Sequence, residues 1–287
     1  MKISREIVDN YSIPDKCKFC GSRHIVRYGY YQKRQRWFCK DCKRKFADND
    51  SPPKMKTPTI QIASALSMFY EGMSLNAIRR HLEQTYHSYP SNSTVYGWIV
   101  KYTKQAIAQT SGQPMIVGDV WVADETVFKI GGRPYWYFFD LIDQRTRFLL
   151  ASHLTTARGA REAQRLVERA AHRAGKIPKV IITDQLGSYL VGIESAFGAD
   201  TRHIQSKGFE VQPNTNTIER FHGSLKARTK VMRGMKKRET AKLILDGWLI
   251  HYNYFRPHGS LGGKTPAQKA HATYPYKNWL DVVKGGK

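Results

Sequence analysis

Long apolar runs are missing from this 287-residue sequence: no segment offers the ~18 consecutive apolar residues that a helix needs to span a bilayer. The opening MKISREIVDN also lacks the apolar core of a secretory signal peptide. The expected compartment is therefore the cytoplasm. Cysteine is scarce too, at four residues. In a reducing compartment these are expected as thiols or metal ligands, which excludes a disulfide scaffold. Acids are few, with 23 Asp plus Glu against 47 Lys plus Arg, for a formal net charge of +24. That balance disfavours cationic partners and favours a polyanion, whose phosphates release counterions on contact. Internal repeats and low-complexity tracts are absent as well. What is present is 41% apolar residues, including 12 Phe, 16 Tyr and 6 Trp, enough for a substantial core.

The pattern falls into three segments, expected as domains over 1–50, 51–112 and 113–287. The first holds every cysteine and ends in the helix-breaking Asp48-Asn-Asp-Ser-Pro-Pro53. The second reads as three short helices between about 57 and 106. Ile62, Ala63, Leu66, Phe69 and Tyr70 share one helical face, and Gly72 follows as a stop. In the third, Val120–Ile130, Pro134–Ile142 and Phe148–Leu154 read as strands of an antiparallel meander, with Gly131-Gly132 and Asp143–Arg147 as turns. A helix over 158–174 and a short buried strand at Lys179–Thr183 follow. This is the α/β order of a mixed sheet.

Cys17-Lys-Phe-Cys20 and Cys39-Lys-Asp-Cys42 form two knuckles separated by eighteen residues. Each tight turn delivers two thiolates, so together they complete a tetrahedral Zn²⁺ site. Four protein ligands leave no position open for water, so the single Zn²⁺ is expected to be structural. The aromatic stretch between the knuckles fits a β-ribbon.

The three helices fit a helix-turn-helix, whose last helix enters the major groove. Ser91, Asn92, Ser93, Thr94 and Tyr96, at the start of that helix, are the candidates to reach bases or phosphates. The segment carries only four basic and two acidic residues between 57 and 106. The basic charge lies to either side: fifteen Lys or Arg against six acids over 1–56, and nine against two between Glu219 and Lys242.

Three acids are the candidate chemistry. Asp124 interrupts the apolar strand Val-Trp-Val-Ala-Asp-Glu-Thr-Val-Phe, Asp184 ends Val-Ile-Ile-Thr-Asp, and Glu219 lies early in a basic helix. A carboxylate inside a strand is costly unless it is paired or bound to a cation. Two Mg²⁺ or Mn²⁺ ions would resolve that cost, activate a nucleophile and stabilise a leaving oxygen. Lys226 lies seven residues after Glu219, on the same helical face, where it could hold a phosphate. Arg220, His222 and Arg228 are neighbouring candidates for DNA contact. Asp119 and Glu125 are expected to pair with local Lys or Arg. Asp140 and Asp143 are expected as turn residues closing the second strand.

Trp121-Val-Ala-Asp-Glu-Thr126, Ile182-Thr-Asp-Gln185 and Asn216-Thr-Ile-Glu-Arg-Phe-His222 resemble the acid motifs of the Asp-Asp-Glu transposases of prokaryotic insertion sequences. Asp184 and Glu219 are separated by thirty-four residues, the spacing of one such group. The tail His251-Tyr-Asn-Tyr-Phe-Arg-Pro-His258, with Leu261 and Lys264-Thr-Pro-Ala267, is similar to a C-terminal signature of these enzymes. The resemblance implies a ribonuclease-H-like fold with Asp124, Asp184 and Glu219 as ligands of two Mg²⁺ or Mn²⁺ ions. It implies cleavage at element ends followed by attack of the freed 3′-hydroxyls on target DNA. Lys226 and Arg228 would clamp phosphates, and Tyr252 and Arg256 would pack or hold DNA. The implied partners are double-stranded DNA, both terminal inverted repeats and target, and further copies of the chain in a dimer or larger assembly. Two other readings remain open: a non-catalytic DNA-binding regulator, and a nuclease of RNA–DNA hybrids.

Overall fold

The computed structural model describes residues 14–31, 34–47, 50–110, 114–206 and 215–285. The chain divides into two compact units, Met1–Ala63 and Ser64–Lys287.

The first unit is a small antiparallel sheet of β1 (Ile25–Tyr31), β2 (Arg34–Cys39) and β3 (Lys45–Ala47). Trp37 and Phe46 are direct cross-strand partners on β2 and β3. With Cys17 and Cys39 they form the buried centre, and Trp37 is fully enclosed. This is a zinc-ribbon arrangement, with cysteines on the turns and aromatics on the strands.

The second unit is built on a five-stranded mixed sheet. Its strands are β4 (Val120–Ile130), β5 (Arg133–Asp143), β6 (Leu149–Thr155), β7 (Val180–Thr183) and β8 (Arg202–Gln205). The order is β6-β5-β4-β7-β8: the first three form the expected antiparallel meander, while β7 and β8 run parallel to β4. This is the ribonuclease-H-like order. Gly131 and Gly132 make the tight β4–β5 turn, both in the left-handed region that the turn's twist requires. Helix α4 (Ala160–Ala174) buries Ala163, Leu166, Val167 and Ala170 at helical spacing and stops at Gly175. Helix α5 (Gly187–Phe197) lies so close to α4 that a Cβ on Gly192 would fall 2.7 Å from the Ala160 carbonyl and 2.8 Å from the Ala163 Cβ.

The three predicted helices are α1 (Thr59–Tyr70), α2 (Leu75–Tyr86) and α3 (Asn92–Ile107). Ser74 and Ser91 cap the last two, accepting from the Ala77 and Thr94 amides at 3.2 and 3.1 Å. After the sheet come α6 (Asn216–Lys230) and α7 (Arg238–Ile250). The latter widens into a π-type turn over His251–Phe255 and is followed by α8 (Pro266–Lys269) and α9 (Trp279–Lys284). An aromatic block fixes α6: Phe221 meets Trp248 and Tyr252 edge-on at 5.4 and 5.0 Å. Tyr70 stacks on Trp279 at 4.8 Å, and its hydroxyl lies 2.5 Å from that of Thr103.

Candidate active site

Strand register assembles the first two acids. The parallel β4–β7 pairing matches Val122 with Ile182. Continued two residues on the same face, it brings Asp124 beside Asp184, at the carboxyl end of β7. The Leu186 amide donates to Asp184 Oδ1 at 3.0 Å, and the Glu125 amide to Asp124 Oδ1 at 2.8 Å. Ligand oxygens of Asp124, Glu125 and Asp184 all lie within 4.8 Å of one another. Burial and the charge of Asp124 push the Asp184 carboxyl above its usual range. Burial, with the charges of Asp184 and Asp124, does the same to Glu125 against the opposing pull of Arg158. Like charges gathered at one half-buried point disfavour ionisation, and a divalent cation relieves that repulsion. The donor set is all oxygen and suits a hard ion such as Mg²⁺.

Glu125 meets Arg158, whose Nε lies 2.8 Å from Oε1, while Asp119 meets Lys176. Both acids thus pair with basic residues, though with ones 33 and 57 positions away rather than local ones, and Glu125 also belongs to the carboxylate group. Glu219 stands in the first turn of α6 and accepts from the Thr215 hydroxyl at 2.7 Å, outside that three-carboxylate group. It lies one helical turn from His222, which touches Asp124.

His222 and Asp140 were not expected in these places. Asp140 is mid-strand and fully buried, not a turn residue, and is the direct cross-strand partner of Asp124. Two acids opposite one another on adjacent strands repel. The His222 imidazole sits between them, with Nε2 3.0 Å from Asp140 Oδ2 and Nδ1 3.4 Å from Asp124 Oδ2. Burial raises the Asp140 carboxyl to about 6 although His222 opposes the rise. Burial alone would lower His222, but its hydrogen bonds to Asp124 and Asp140 prevail and lift it to about 9. His222 therefore serves the carboxylates and is not a surface group for DNA. The residue types gave no signal for this, since only the β4–β5 register pairs the two acids. Asp143 does build the turn: its carboxylate accepts from the Gly118 and Thr146 amides at 3.0 and 2.9 Å.

Arg228 also departs from expectation as a phosphate clamp. It is 2% exposed, its guanidinium lies 3.7 Å from the Phe69 ring centroid, and it donates to the Met73 carbonyl at 3.3 Å. Lys226 is exposed and lines an open groove of about 690 Å³ with Lys129, Lys230 and Arg233. Arg220 is exposed on another face of α6. Ser91, Asn92, Ser93 and Thr94 are exposed at the start of α3, and Tyr96 is half-buried one turn on. Tyr252 and Tyr254 are buried core residues.

The four cysteines converge. Sγ atoms of Cys17 and Cys42 are 3.7 Å apart, those of Cys20 and Cys39 are 3.6 Å apart, and all four lie within 4.8 Å of one another. A tetrahedron with Zn–S bonds of about 2.3 Å has edges of about 3.8 Å, so the thiols fit Zn²⁺. Amides of Cys42 and Asp41 donate to the Cys39 sulfur and hold its thiol down at about 6.

Residues 118–258 match the family model described as a DDE domain. No curated protein sequence matches the chain. Among solved structures, the chain is similar to the HTLV-2 integrase catalytic core domain in complex with magnesium, in its trimeric form. The two are 17% identical with a TM-score of 0.44, over 55% of this chain and 99% of that one. It is also similar to the simian T-cell lymphotropic virus intasome in complex with PP2A regulatory subunit B56 gamma (16% identity, TM-score 0.43, 74% of this chain and 75% of that one). A third likeness is to the catalytic core domain of BIV integrase (16%, 0.40, 54% and 94%). Residues 118–258 are thus a DDE domain of the insertion-element transposase type.

Proposed function

We propose that the protein cuts DNA at the ends of its insertion element and joins the freed 3′-hydroxyls to target DNA. The observation that carries this reading is the juxtaposition of Asp124 and Asp184 by strand register, with Glu219 one helical turn from His222. Asp124, Asp184 and Glu219 would hold two Mg²⁺ or Mn²⁺ ions, with Glu219 exchanging its Thr215 hydrogen bond for the site. When bound, such ions activate the attacking oxygen and neutralise the leaving one. The chain's own part is positioning. The imidazole of His222 holds Oδ2 of Asp124 and the Glu125 amide holds Oδ1, which fixes the carboxylate next to Asp184. Arg158 ties Glu125 back, and Lys226 lies outward on the helix of Glu219, where a DNA phosphate can meet it. In cleavage, a water oxygen bonds to phosphorus and the P–O3′ bond breaks. In joining, the 3′-hydroxyl takes the place of water and a P–O3′ bond of the target breaks.

One Zn²⁺ on Cys17, Cys20, Cys39 and Cys42 supports the ribbon. The polar start of α3 reads the element's terminal repeats. Because two ends are joined at once, a dimer or larger assembly acts. Among the described residues no helix is long and apolar enough to cross a membrane.

The test is cleavage and strand transfer on a labelled duplex carrying the repeat that flanks the gene, with Mg²⁺, Mn²⁺ or EDTA. Joined products that require metal and vanish in Asp184→Asn are expected. Tight binding without nicking under either metal would establish a regulator instead.

A further inference from the structure

The C-terminal signature has no part in the carboxylate site, yet the fold gathers it around a separate pocket. This pocket, of about 220 Å³, lies between α6, the β5–β6 turn and the loop after the π-type turn. Arg147, Arg220 and Arg256 converge there with His258, Thr217 and Ser224. Of the three arginines, only Arg256 meets a carboxylate among the described residues, with its Nε 3.8 Å from Glu71. Glu71 is itself shared with His251 at 2.9 Å. Arg147 donates to the Thr217 hydroxyl.

Arg147 and Arg256 sit on backbone that is held in place. Arg147 has a left-handed backbone, φ 61°, that its β-carbon disfavours. The turn keeps it there through the Asp143 carboxylate and a 2.9 Å bond from the Arg147 amide to the Asp143 carbonyl. The Arg256–His258 loop is closed by bonds from the His258 amide to the Lys264 carbonyl and from the Gly263 amide to the His258 carbonyl, at 3.1 and 3.0 Å. Its imidazole packs edge-on against Tyr252 at 4.6 Å. Burial, together with the charges of Arg256 and Arg147, holds His258 below its ordinary value. The same cationic field would greet an anion.

We propose that this pocket binds a backbone phosphate of the DNA strand engaged by the carboxylates, gripped by Arg147, Arg220 and Arg256. The volume falls below the roughly 300–1,000 Å³ of ordinary small-molecule pockets, so it suits a phosphate group rather than a nucleotide. Guanidinium forks match phosphate oxygens in geometry as well as charge. Arg220 follows Glu219 directly on α6, about 100° around the helix. A strand seated on Glu219 thus passes the mouth of the pocket with its neighbouring phosphates. The C-terminal signature then has a physical reason: it carries one wall of a phosphate grip onto the helix of the third acid.

The inference rests on the DNA-joining function proposed above, and its test is separable because binding is measured without divalent ions, where no cleavage occurs. Full-length protein is titrated with a duplex over a range of salt. The pair Arg147→Gln/Arg220→Gln should make the slope of log K against log salt shallower by about one, the loss of one phosphate contact. The pair Arg147→Lys/Arg220→Lys should keep most of the slope. Removing the same charge from exposed positions outside the pocket, in Arg161→Gln/Arg202→Gln, should change it less. Inorganic phosphate should raise the unfolding temperature of the wild type and not that of the glutamine pair. Should the glutamine pair unfold, Arg220→Gln alone, at an exposed position, carries the same test. A slope equal to wild type, or no different from the control pair, overturns the proposal. Phosphate stabilisation with an unchanged DNA slope overturns it too, since the pocket would then take a free oxyanion and not DNA.

Discussion

Asp124 and Asp140 face each other across β4 and β5, and the imidazole of His222 is what makes that pair tolerable in a buried place. His222→Gln keeps a hydrogen-bonding side chain but removes the positive charge. Outer partners of metal ligands typically contribute 10–100-fold to metal affinity or activity, so cleavage should fall by about that factor, with a higher Mg²⁺ requirement. The pH dependence has a defined sign. His222 is raised in the folded state to about 9, above an unfolded value near 6.5. Its contribution to stability is therefore fully present below about pH 6.5 and is lost as pH rises through 9. Measured without added divalent ions, the stability gap between wild type and variant should narrow over that window. Parallel profiles would remove the charge from the account. At this scale the sequence was partly legible. Asp124 and Asp184 stood out because a charge in an apolar strand is costly. Asp140 lay in a similar apolar run and passed for a turn residue, because its partners come from register and from a helix 82 residues away.

One helix, α6, does four things at once because its faces point to four environments. His222 reaches the sheet, Phe221 enters the aromatic block, Arg220 lines the arginine pocket, and Lys226 lies in the open groove. Arg228, two residues beyond Lys226, is instead buried over Phe69. Burial brings its guanidinium down to about 10. The two basic residues should therefore separate in one experiment. Lys226→Ala should weaken duplex binding and reduce its salt slope by about one, with unfolding unchanged. Arg228→Ala should leave the slope alone and cost about 1–3 kcal/mol of stability through lost packing around its stem. A shallower slope in Arg228→Ala would put its guanidinium back on DNA. Spacing made the helix and the shared face of Glu219 and Lys226 readable. It could not tell an outward Arg from an inward one, because a long cationic side chain is compatible with either face until the neighbouring helices are known.

At the scale of the whole molecule, local patterns located β4 to β7, α1 to α4, the helix of Glu219 and the cysteine knuckles, whereas β8, α5, the helices after α6 and the packing among distant segments were beyond them. Gln105 of α3 donates to the Val282 carbonyl, and the Tyr274 hydroxyl to the Ala106 carbonyl, both at 2.7 Å. The chain separations are 177 and 168 residues, and no periodicity encodes such contacts. Gly247 of α7 was equally silent, yet a Cβ there would overlap the Tyr70 hydroxyl and Thr103. The cysteine sheet is the opposite case, legible because its stability has so few sources. Among the described residues its core is little more than Trp37, Phe46 and two cysteines, joined at the edge by Phe19, Ile25 and Cys42. Sheets of this size bury too little apolar area to offset chain entropy, and metal binding supplies the difference. Zinc content should be one per chain, and Cys39→Ser should lower it sharply. Chelation of the wild type should speed amide hydrogen exchange throughout β1 and β2, including the Cys39 amide that now donates to the Arg44 carbonyl at 3.0 Å. Slow exchange persisting in the zinc-free protein would mean that Trp37 and its neighbours hold the sheet alone, and that the four thiols are ligands without a structural task.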